Sequence, residues 1–298
     1  MPIKIDSKEA ALKFIEDHDT FLFDCDGVLW RGNTPLTHSA DTLKLLRSRG
    51  KQVVFVTNNS TKSRKQYVNK FSKLGIDANA DEIFGSAYSS AVYLDKMGTF
   101  DKENKKVLVI GESGLEEELH EAGFKTLGGA DPALNRDFGP EVEKYAIRDE
   151  SIGAVVCGLD LKINYLKIAY AQANLRDPKV TFLATNVDST FPATDMILPG
   201  AGTVIKSVSF CSGREPDATL GKPSKAMMDC ILEKFKFDPK RTVMVGDRLN
   251  TDMKFGANSG LDTLFVLTGV DKVEEASKFG VDPTYYADKL GDIFELLE

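Results

Sequence analysis

The residues with the clearest chemical potential are two carboxylates that end an apolar run. Asp24 and Asp26 follow the stretch 20–23, Thr-Phe-Leu-Phe, and Gly27 comes directly after them. The run is typical of a strand buried on both faces of a parallel sheet, and the glycine permits a tight turn off that strand. Alternate side chains share a face in an extended chain, so Asp24 and Asp26 are expected to point the same way. Two carboxylates at such a strand end favour cation binding or catalysis.

Two other interpretations of this motif fit its neighbours less well. A calcium loop would need its next oxygen ligand at Val28, and no glutamate follows at the required spacing. A solvated turn is rarely preceded by Leu-Phe and followed by Val-Leu-Trp, as this one is. Short motifs have a high false-positive rate, so the choice depends on the rest of the chain.

Further polar groups follow two other predicted strands. The apolar run Val-Val-Phe-Val ends in Thr57, Asn58 and Asn59, and the run Val-Met-Val-Gly ends in Asp247, with Asp252 shortly after it. In an open α/β sheet the carboxyl ends of all parallel strands border one crevice, where ligands bind. These side chains are therefore expected to meet there.

Lys222 adds one ammonium group to this set, next to a glycine that allows close approach of the backbone. Carboxylates, a hydroxyl, amide donors and an ammonium are what a magnesium-assisted phosphoryl transfer requires. Hard oxygen ligands hold Mg²⁺, cationic and amide donors balance the phosphoryl charge, and a carboxylate can act as the nucleophile. Lys222 is not a P-loop lysine, because Pro223 follows where Ser or Thr would bind the metal.

The elements that must position these residues alternate between strand and helix patterns. The alternation runs through the first third of the chain, begins again in the middle, and resumes its first form in the last third. It predicts an α/β fold with a Rossmann-like parallel-sheet core and a smaller inserted α/β domain. The predicted core is 1–88 and 206–298, and the insert is 89–205. Residues 128–147 are the least regular, and residues 199–202 lead the chain back to the core.

Composition and charge argue against several classes of function. The net charge of −7 leaves no general basic face for nucleic acid. The four cysteines and three histidines lack zinc-site spacing, and sparse cysteines fit a reducing compartment. The first residues contain no signal-peptide core, and no apolar run approaches membrane-spanning length. These features predict a cytoplasmic protein, with the nucleus as an alternative, that binds neither nucleic acid nor membrane.

Four motifs, taken in order, carry a resemblance to a known family. They are 24–29 Asp-Cys-Asp-Gly-Val-Leu, 56–59 Val-Thr-Asn-Asn, 221–223 Gly-Lys-Pro and 245–252 Val-Gly-Asp-Arg-Leu-Asn-Thr-Asp. This set resembles the haloacid dehalogenase superfamily over nearly the whole chain. The long insert resembles the large α/β cap of its 4-nitrophenylphosphatase, phosphoglycolate phosphatase and pyridoxal phosphatase branch. The phrases 23–30 and 57–64 are most similar to fungal members of that branch.

The resemblance implies a role for each acidic residue. Asp24 would attack phosphorus in line, and Asp26 would protonate the leaving oxygen and then deprotonate the hydrolytic water. Mg²⁺ would bind the Asp24 carboxylate, the Asp26 main-chain carbonyl and Asp247, with Asp252 outside the groups that touch the metal. Dehalogenating members of the superfamily lack the second aspartate of the pair, so Asp26 favours a phosphatase.

The phosphoryl oxygens would be held by side chains from two motifs, namely Thr57, Asn58, Asn59 and Lys222. The cap would close over the site and supply specificity through a substrate loop at 186–195.

Two further positions are interpreted from the same resemblance, and each has an alternative. Phe191 stands in the substrate loop where pyridoxal phosphatases have a histidine, which argues against pyridoxal phosphate as the main substrate; it is equally well explained as a cap-core residue. Arg64 is either a ligand for a substrate carboxylate or a solvated helix residue. The cap is also the family's dimerisation surface, so the resemblance implies a homodimer.

The activity implied is that of a Mg²⁺-dependent phosphoric monoester hydrolase acting through an aspartyl-phosphate. Its expected substrates are 2-phosphoglycolate and related small metabolites, and also 4-nitrophenyl phosphate. A phosphoprotein phosphatase is one alternative, although a large cap would shield the site from bulky substrates. The other is a catalytically idle binding or regulatory protein on the same fold. Four intact charges in one crevice, on Asp24, Asp26, Lys222 and Asp247, argue against it.

Overall fold

The protein has an α/β architecture, which confirms the predicted fold class. The computed structural model describes residues 2–192, 196–269 and 271–298. The chain forms two compact units: the first is Met1–Thr57, Tyr67–Phe84 and Lys222–Glu298, and the second is Asn58–Gln66 and Gly85–Gly221. Within the described residues, no helix combines the length and the apolar character needed to cross a bilayer.

Strands and helices alternate along most of the chain. The strands are β1 (Ile3–Lys4), β2 (Thr20–Phe23), β3 (Trp30–Arg31), β4 (Thr34–Pro35), β5 (Gln52–Thr57), β6 (Ile83–Gly85), β7 (Lys106–Ile110), β8 (Lys125–Gly128), β9 (Ile152–Cys157), β10 (Thr181–Ala184), β11 (Thr190–Pro192), β12 (Ile197–Pro199), β13 (Ala218–Thr219), β14 (Thr242–Gly246), β15 (Asp262–Val266) and β16 (Tyr285–Ala287). The α-helices are α1 (Lys8–Asp17), α2 (Ser39–Ser48), α3 (Arg64–Lys73), α4 (Ser86–Lys96), α5 (Ser113–Glu121), α6 (Tyr165–Leu175), α7 (Ala201–Ser212), α8 (Lys225–Lys234), α9 (Lys254–Asn258), α10 (Ala276–Phe279) and α11 (Asp292–Glu295). Short 3₁₀ helices lie at Ala80–Glu82, Pro140–Ala146, Pro239–Arg241 and Val273–Glu275, and a π-helical turn at Leu249–Met253.

The first unit is built on a seven-stranded sheet. Its strands lie in the order β1-β16-β15-β14-β2-β5-β6. In this spatial order, each pair of neighbouring strands from β1 across to β5 is parallel. On the central strand β2, Phe23 lies opposite Val245 of β14 and Phe55 of β5. All residues of β2 and β14 are buried. Apart from the threonine that begins each of them, these two strands are apolar, and an aspartate follows directly after each of them ends.

Aromatic side chains form the core beneath this edge of the sheet. The rings of Phe23 and Phe55 lie 6.4 Å apart between centroids, and Phe55 packs on Phe71 of α3 at 4.5 Å. Trp30 meets Phe71 edge-on at 4.8 Å and is fully buried. Such large buried rings hold the strand ends and α3 in fixed positions.

The second unit contains a parallel five-stranded sheet in the order β13-β10-β9-β7-β8. Its core includes Leu166 and Tyr170 from α6 together with Val204 and Ile205 from α7. Strands β11 and β12 form a separate antiparallel pair.

The boundaries of this second unit lie at different residues from the sequence prediction. Residues 88 and 205, the predicted ends of segments, lie inside helices α4 and α7. Residues 199–202 do not lead directly to the first unit, because α7 begins at Ala201 and the second unit continues to Gly221. The assignment of this unit as a substrate cap stays a prediction.

Candidate active site

Three carboxylates from the first unit converge at the carboxyl ends of neighbouring strands. Asp24 follows β2, Asp247 follows β14, and Asp252 lies in the π-helical turn after β14. One oxygen of each lies within 4.8 Å of the others, close enough to hold one metal ion. The Asp24 backbone amide donates to the Val245 carbonyl at 2.9 Å, so hydrogen bonding between β2 and β14 fixes the backbone position of Asp24.

A buried lysine lies against this acidic cluster. The Lys222 ammonium is 2.6 Å from Asp24 Oδ1 and 2.8 Å from Asp252 Oδ1, and it donates to the Val56 carbonyl at 2.6 Å. Only 2% of the residue is exposed. Burial acts to lower the pKa of Lys222, but the two carboxylates outweigh it and raise that pKa above its ordinary value. The lysine is therefore a permanent cation that neutralises part of the cluster.

Burial and the neighbouring carboxylates both raise the pKa values of Asp24 and Asp247. Burial raises the pKa of Asp24 to about 7, against the opposing effect of Lys222 and with a further rise from Asp252. Burial, Asp24 and Asp252 together raise the pKa of Asp247 well above its usual range. Three carboxylates share one ammonium, so the anionic form of the cluster lacks a compensating charge.

The donor set fits a divalent cation of the Mg²⁺ type, which prefers carboxylate oxygens. Among the described residues, no hydrogen bond or ion pair reaches the buried Asp247 carboxylate, which leaves both of its oxygens available. Asp252 differs, because Oδ1 contacts Lys222 and Oδ2 accepts from the Arg248 amide at 3.1 Å. Asp24 and Asp247 are thus the better placed direct ligands.

The Asp247 carboxylate fits where it does because two neighbouring residues are glycines and have no side chain. A Cβ atom at either Gly27 or Gly269 would overlap that carboxylate. Gly27 also has φ of +87°, in the left-handed region where side chains are disfavoured. Glycine at position 27 is therefore required both by the turn off β2 and by the closeness of Asp247.

The Asp26 side chain is turned toward a different set of groups. Its Oδ1 accepts from Trp30 Nε1 at 2.7 Å and from Lys70 Nζ at 3.4 Å. The sequence prediction gave neither Trp30 nor Lys70 a role. Trp30 is four residues from Asp26 and is the only tryptophan of the chain, which is the signal available; Lys70 has no local signal.

The predicted phosphate-binding residues fall in both units. Thr57 ends β5 in the first unit, is buried, and its Oγ1 lies 3.4 Å from the Tyr67 hydroxyl. Asn58 belongs to the second unit, where its amide donates to Asp188 at 3.1 Å. The side-chain oxygen Oδ1 of Asn59 accepts from the backbone amide of Thr61 at 2.8 Å. The predicted contacts of these three residues with phosphate stay predictions.

Arg64 is not a solvated helix residue. Its Nε and Nη2 lie 2.9 Å from Glu118 and Glu121 respectively, and its guanidinium stacks 3.7 Å from the centroid of the Tyr88 ring. Only 16% of its side chain is exposed. A substrate carboxylate would compete with two glutamates, and that role stays a prediction.

Phe191 lies in the β11–β12 hairpin, paired with Leu198, and is half-buried. The predicted loop 186–195 is described as far as residue 192, and its last three residues lie outside the described part of the chain. Contact of Phe191 with substrate stays a prediction.

Comparison with known proteins places the chain in a family. A haloacid dehalogenase-like hydrolase model matches residues 21–125, and a second model of HAD-like hydrolases matches residues 219–293. A 4-nitrophenylphosphatase from Schizosaccharomyces pombe is 48% identical, with 99% of both chains covered. The chain belongs to the haloacid dehalogenase-like hydrolases. The predicted family and branch are confirmed.

Two further relatives of this hydrolase also carry the names of phosphatases. Phosphoglycolate phosphatase 2 from Arabidopsis thaliana is 46% identical over 94% of this chain and 93% of its own. The structure of a glycerol phosphate phosphatase from Mycobacterium tuberculosis, solved in complex with magnesium, has a TM-score of 0.78 and 28% identity, covering 94% of this chain and 77% of that one. The predicted enzyme class, a phosphoric monoester hydrolase, is confirmed.

The glycine at position 27 can be tested with a matched control. If Asp247 binds magnesium, MgCl₂ should raise the melting temperature of the wild-type protein, and Gly27→Ala is expected to abolish that rise by displacing the Asp247 carboxylate. Gly32 also has positive φ, +61°, but a Cβ there meets nothing within 4 Å. Gly32→Ala should therefore cost only about 1–2 kcal/mol of strain and keep the magnesium response. An unchanged response in Gly27→Ala would contradict the proposed closeness to a metal ligand.

The raised pKa of Asp24 predicts a pH-dependent stability in the presence of EDTA. Between about pH 4 and pH 7 the folded state keeps a proton on Asp24 that the unfolded state has lost, so the free energy of unfolding falls as pH rises. A tenfold difference in proton affinity between the folded and unfolded states corresponds to roughly 1.4 kcal/mol. Urea unfolding of Asp24→Asn should show a shallower decline than the wild type. Equal slopes would show that this carboxyl group is not perturbed, and the exposed Asp288→Asn serves as the control.

Proposed function

We propose that this hydrolase is a Mg²⁺-dependent phosphatase of small phosphate monoesters that works through an aspartyl-phosphate. The observation that carries the proposal is the buried cluster of Asp24, Asp247 and Asp252 with Lys222 against it. Its carboxylates offer both a nucleophile and metal ligands, and its ammonium offers a charge for phosphoryl oxygens. Phosphoryl transfer depends mainly on such positioning and charge compensation.

Magnesium fits the oxygens of Asp24 and Asp247, and the predicted site adds the Asp26 main-chain carbonyl, with Asp252 outside the groups that touch the metal. When bound, it would neutralise charge on the phosphoryl oxygens and favour the anionic form of Asp24. Lys222 supports the same anionic form by contacting Asp24 Oδ1 at 2.6 Å. Thr57, at the end of the next strand, is proposed to donate its hydroxyl to a phosphoryl oxygen.

The reaction is proposed to proceed in two balanced steps. Asp24 forms a bond to phosphorus as the bond to the leaving oxygen breaks, and the proton on Asp26 passes to that oxygen. Water then attacks the aspartyl-phosphate, gives a proton to the Asp26 carboxylate, and releases inorganic phosphate with the free Asp24 carboxylate. Asp26 serves both steps because the first leaves it as the base that the second needs.

Small phosphorylated metabolites are the proposed substrates, with 2-phosphoglycolate first and 4-nitrophenyl phosphate as a convenient reporter. The named relatives support these choices: one is a 4-nitrophenylphosphatase, one a phosphoglycolate phosphatase and one a glycerol phosphate phosphatase. Phe191, at a position where the resembling pyridoxal phosphatases have histidine, supports exclusion of pyridoxal phosphate. The cytoplasm is the proposed location, because the sparse cysteines fit a reducing compartment.

The assay is phosphate release with MgCl₂ or EDTA from 2-phosphoglycolate, glycerol 3-phosphate, pyridoxal phosphate, 4-nitrophenyl phosphate and a phosphopeptide. Magnesium-dependent release from the small esters is expected, with a loss of more than about 10³-fold in Asp24→Asn because the nucleophile is gone. Asp288→Asn, with a carboxylate that is 65% exposed, should behave as the wild type.

Two outcomes of this assay would contradict the proposal. Release mainly from the phosphopeptide would keep the mechanism but replace the substrate class. A folded wild-type protein that releases no phosphate from any substrate would instead support the binding-protein interpretation.

We also propose that two copies associate through the second unit. Phe210 on α7 is 92% exposed, the highest value among the large apolar side chains of the described residues, so it is the side chain for which burial against a second copy would gain most. Light scattering should give the mass of a dimer for the wild type and of a monomer for Phe210→Ser. Ile3→Ser, which removes an exposed apolar residue of the first unit, is the matched control and should stay dimeric. A monomeric wild type would refute the dimer.

A further inference from the structure

A tight loop after β2 brings Trp30 back to Asp26. The Gly27 amide donates to the Trp30 carbonyl at 2.7 Å, and the Leu29 amide donates to the Cys25 carbonyl at 2.8 Å. Asp26 and Trp30 also form an isolated backbone bridge. This closure carries the indole to the carboxylate four residues earlier, where Nε1 donates to Asp26 Oδ1 at 2.7 Å.

The two donors to Asp26 are held by packing that does not involve Asp26. The Trp30 ring is fully buried and meets Phe71 edge-on at 4.8 Å. Lys70, the neighbour of Phe71 on α3, places its ammonium 4.3 Å from the centroid of the Trp30 ring and 3.4 Å from Asp26 Oδ1. The positions of both donors are therefore determined by contacts other than their hydrogen bonds to Asp26.

Both donors converge on the same oxygen. Among the residues that the structure describes, no hydrogen-bond or ion-pair partner reaches Asp26 Oδ2. An indole N–H and an ammonium can only donate, so Oδ1 has to act as an acceptor whether or not the carboxyl group is protonated. Because two donors already use the lone pairs of Oδ1, a proton on Asp26 is favoured on Oδ2.

We propose that Trp30 and Lys70 are positioning residues that anchor Oδ1 of Asp26 and so make Oδ2 the oxygen that transfers the proton. The inference rests on the proposed function and assigns a division of labour within it. In the first step the Oδ2–H proton moves to the leaving oxygen as its bond to phosphorus breaks. In the second, the attacking water returns a proton to Oδ2.

This division of labour predicts a defect that depends on the leaving group. An alkoxide, as from 2-phosphoglycolate, is strongly basic and needs a proton as it departs. A 4-nitrophenolate is weakly basic and departs without one. Misplacing the Asp26 proton should slow the first reaction and spare the second, whereas a general loss of structure should slow both equally.

The experiment measures single-turnover release of glycolate and of 4-nitrophenolate by full-length enzyme with saturating MgCl₂. Single turnover isolates the first step, so that the later hydrolysis of the aspartyl-phosphate does not mask it. The Trp30→Phe substitution keeps an aromatic ring at this position but removes the indole N–H. The glycolate rate should fall roughly tenfold more than the nitrophenolate rate, a part of the 10²–10⁴-fold that a positioned acid contributes.

Matched variants separate the donors from the packing. Lys70→Met should shift the ratio of the two rates in the same direction by a smaller factor, and Lys70→Arg should restore it, because the charge returns. Lys73→Met removes an exposed lysine of the same helix and should leave the ratio unchanged. If Trp30→Phe fails to fold, the two Lys70 variants still decide the question.

A readout independent of activity tests the contact itself. The chain has a single tryptophan, so its indole N–H gives one resonance in a ¹H–¹⁵N spectrum. Asp26→Ala should move that resonance upfield as the acceptor is lost, and the exposed Asp288→Ala should not.

The possible failures are distinguishable. Equal losses on both substrates in Trp30→Phe, or an unmoved indole resonance in Asp26→Ala, would overturn the positioning role while the phosphatase function stands. A wild-type enzyme that is inactive on both substrates would overturn the proposed function, and the indole resonance would then overturn or support the contact alone.

Discussion

The confinement of three carboxylates with a single buried ammonium is the constraint on which the site depends. Asp24, Asp247 and Asp252 repel one another, and Lys222 offsets only part of that repulsion. Side chains free to move would separate or take up protons. Here the ends of two paired strands and a turn hold them together. The electrostatic imbalance that destabilises the folded state is one that a bound cation would relieve, so stability and proposed function have a common origin.

The local part of this arrangement follows from the sequence alone. An apolar run that stops at an aspartate marks a buried strand end, as at Asp24 and Asp247, and parallel strands bring their ends to one edge. The pairing of β2 with β14 places Phe23 opposite Val245, so the two strands end within one residue of each other. Fold class and the meeting of these carboxylates were therefore predictable.

Contacts between distant segments were not predictable in this way. Lys70 and Asp26 are 44 residues apart, and no pattern near either residue specifies the other. The sequence left Arg64 as either a ligand for a substrate carboxylate or a solvated helix residue, because its partner Glu118 comes from α5 in a later part of the chain. The helix α7 begins in small residues that resemble a turn in sequence, and only packing within the second unit makes them helical.

The π-helical turn at Leu249–Met253 has a consequence for how this chain tolerates insertions and deletions. The Met253 amide donates to the Arg248 carbonyl five residues back, so the turn contains one residue more than an α-helix would use. Removing the exposed Asn250 would allow an ordinary helical turn to form. Asp252 would then be carried about 100° around the helix axis, away from Lys222. A change in length that regularises the backbone would thus remove a carboxylate from the cluster, and the irregular turn is part of the site.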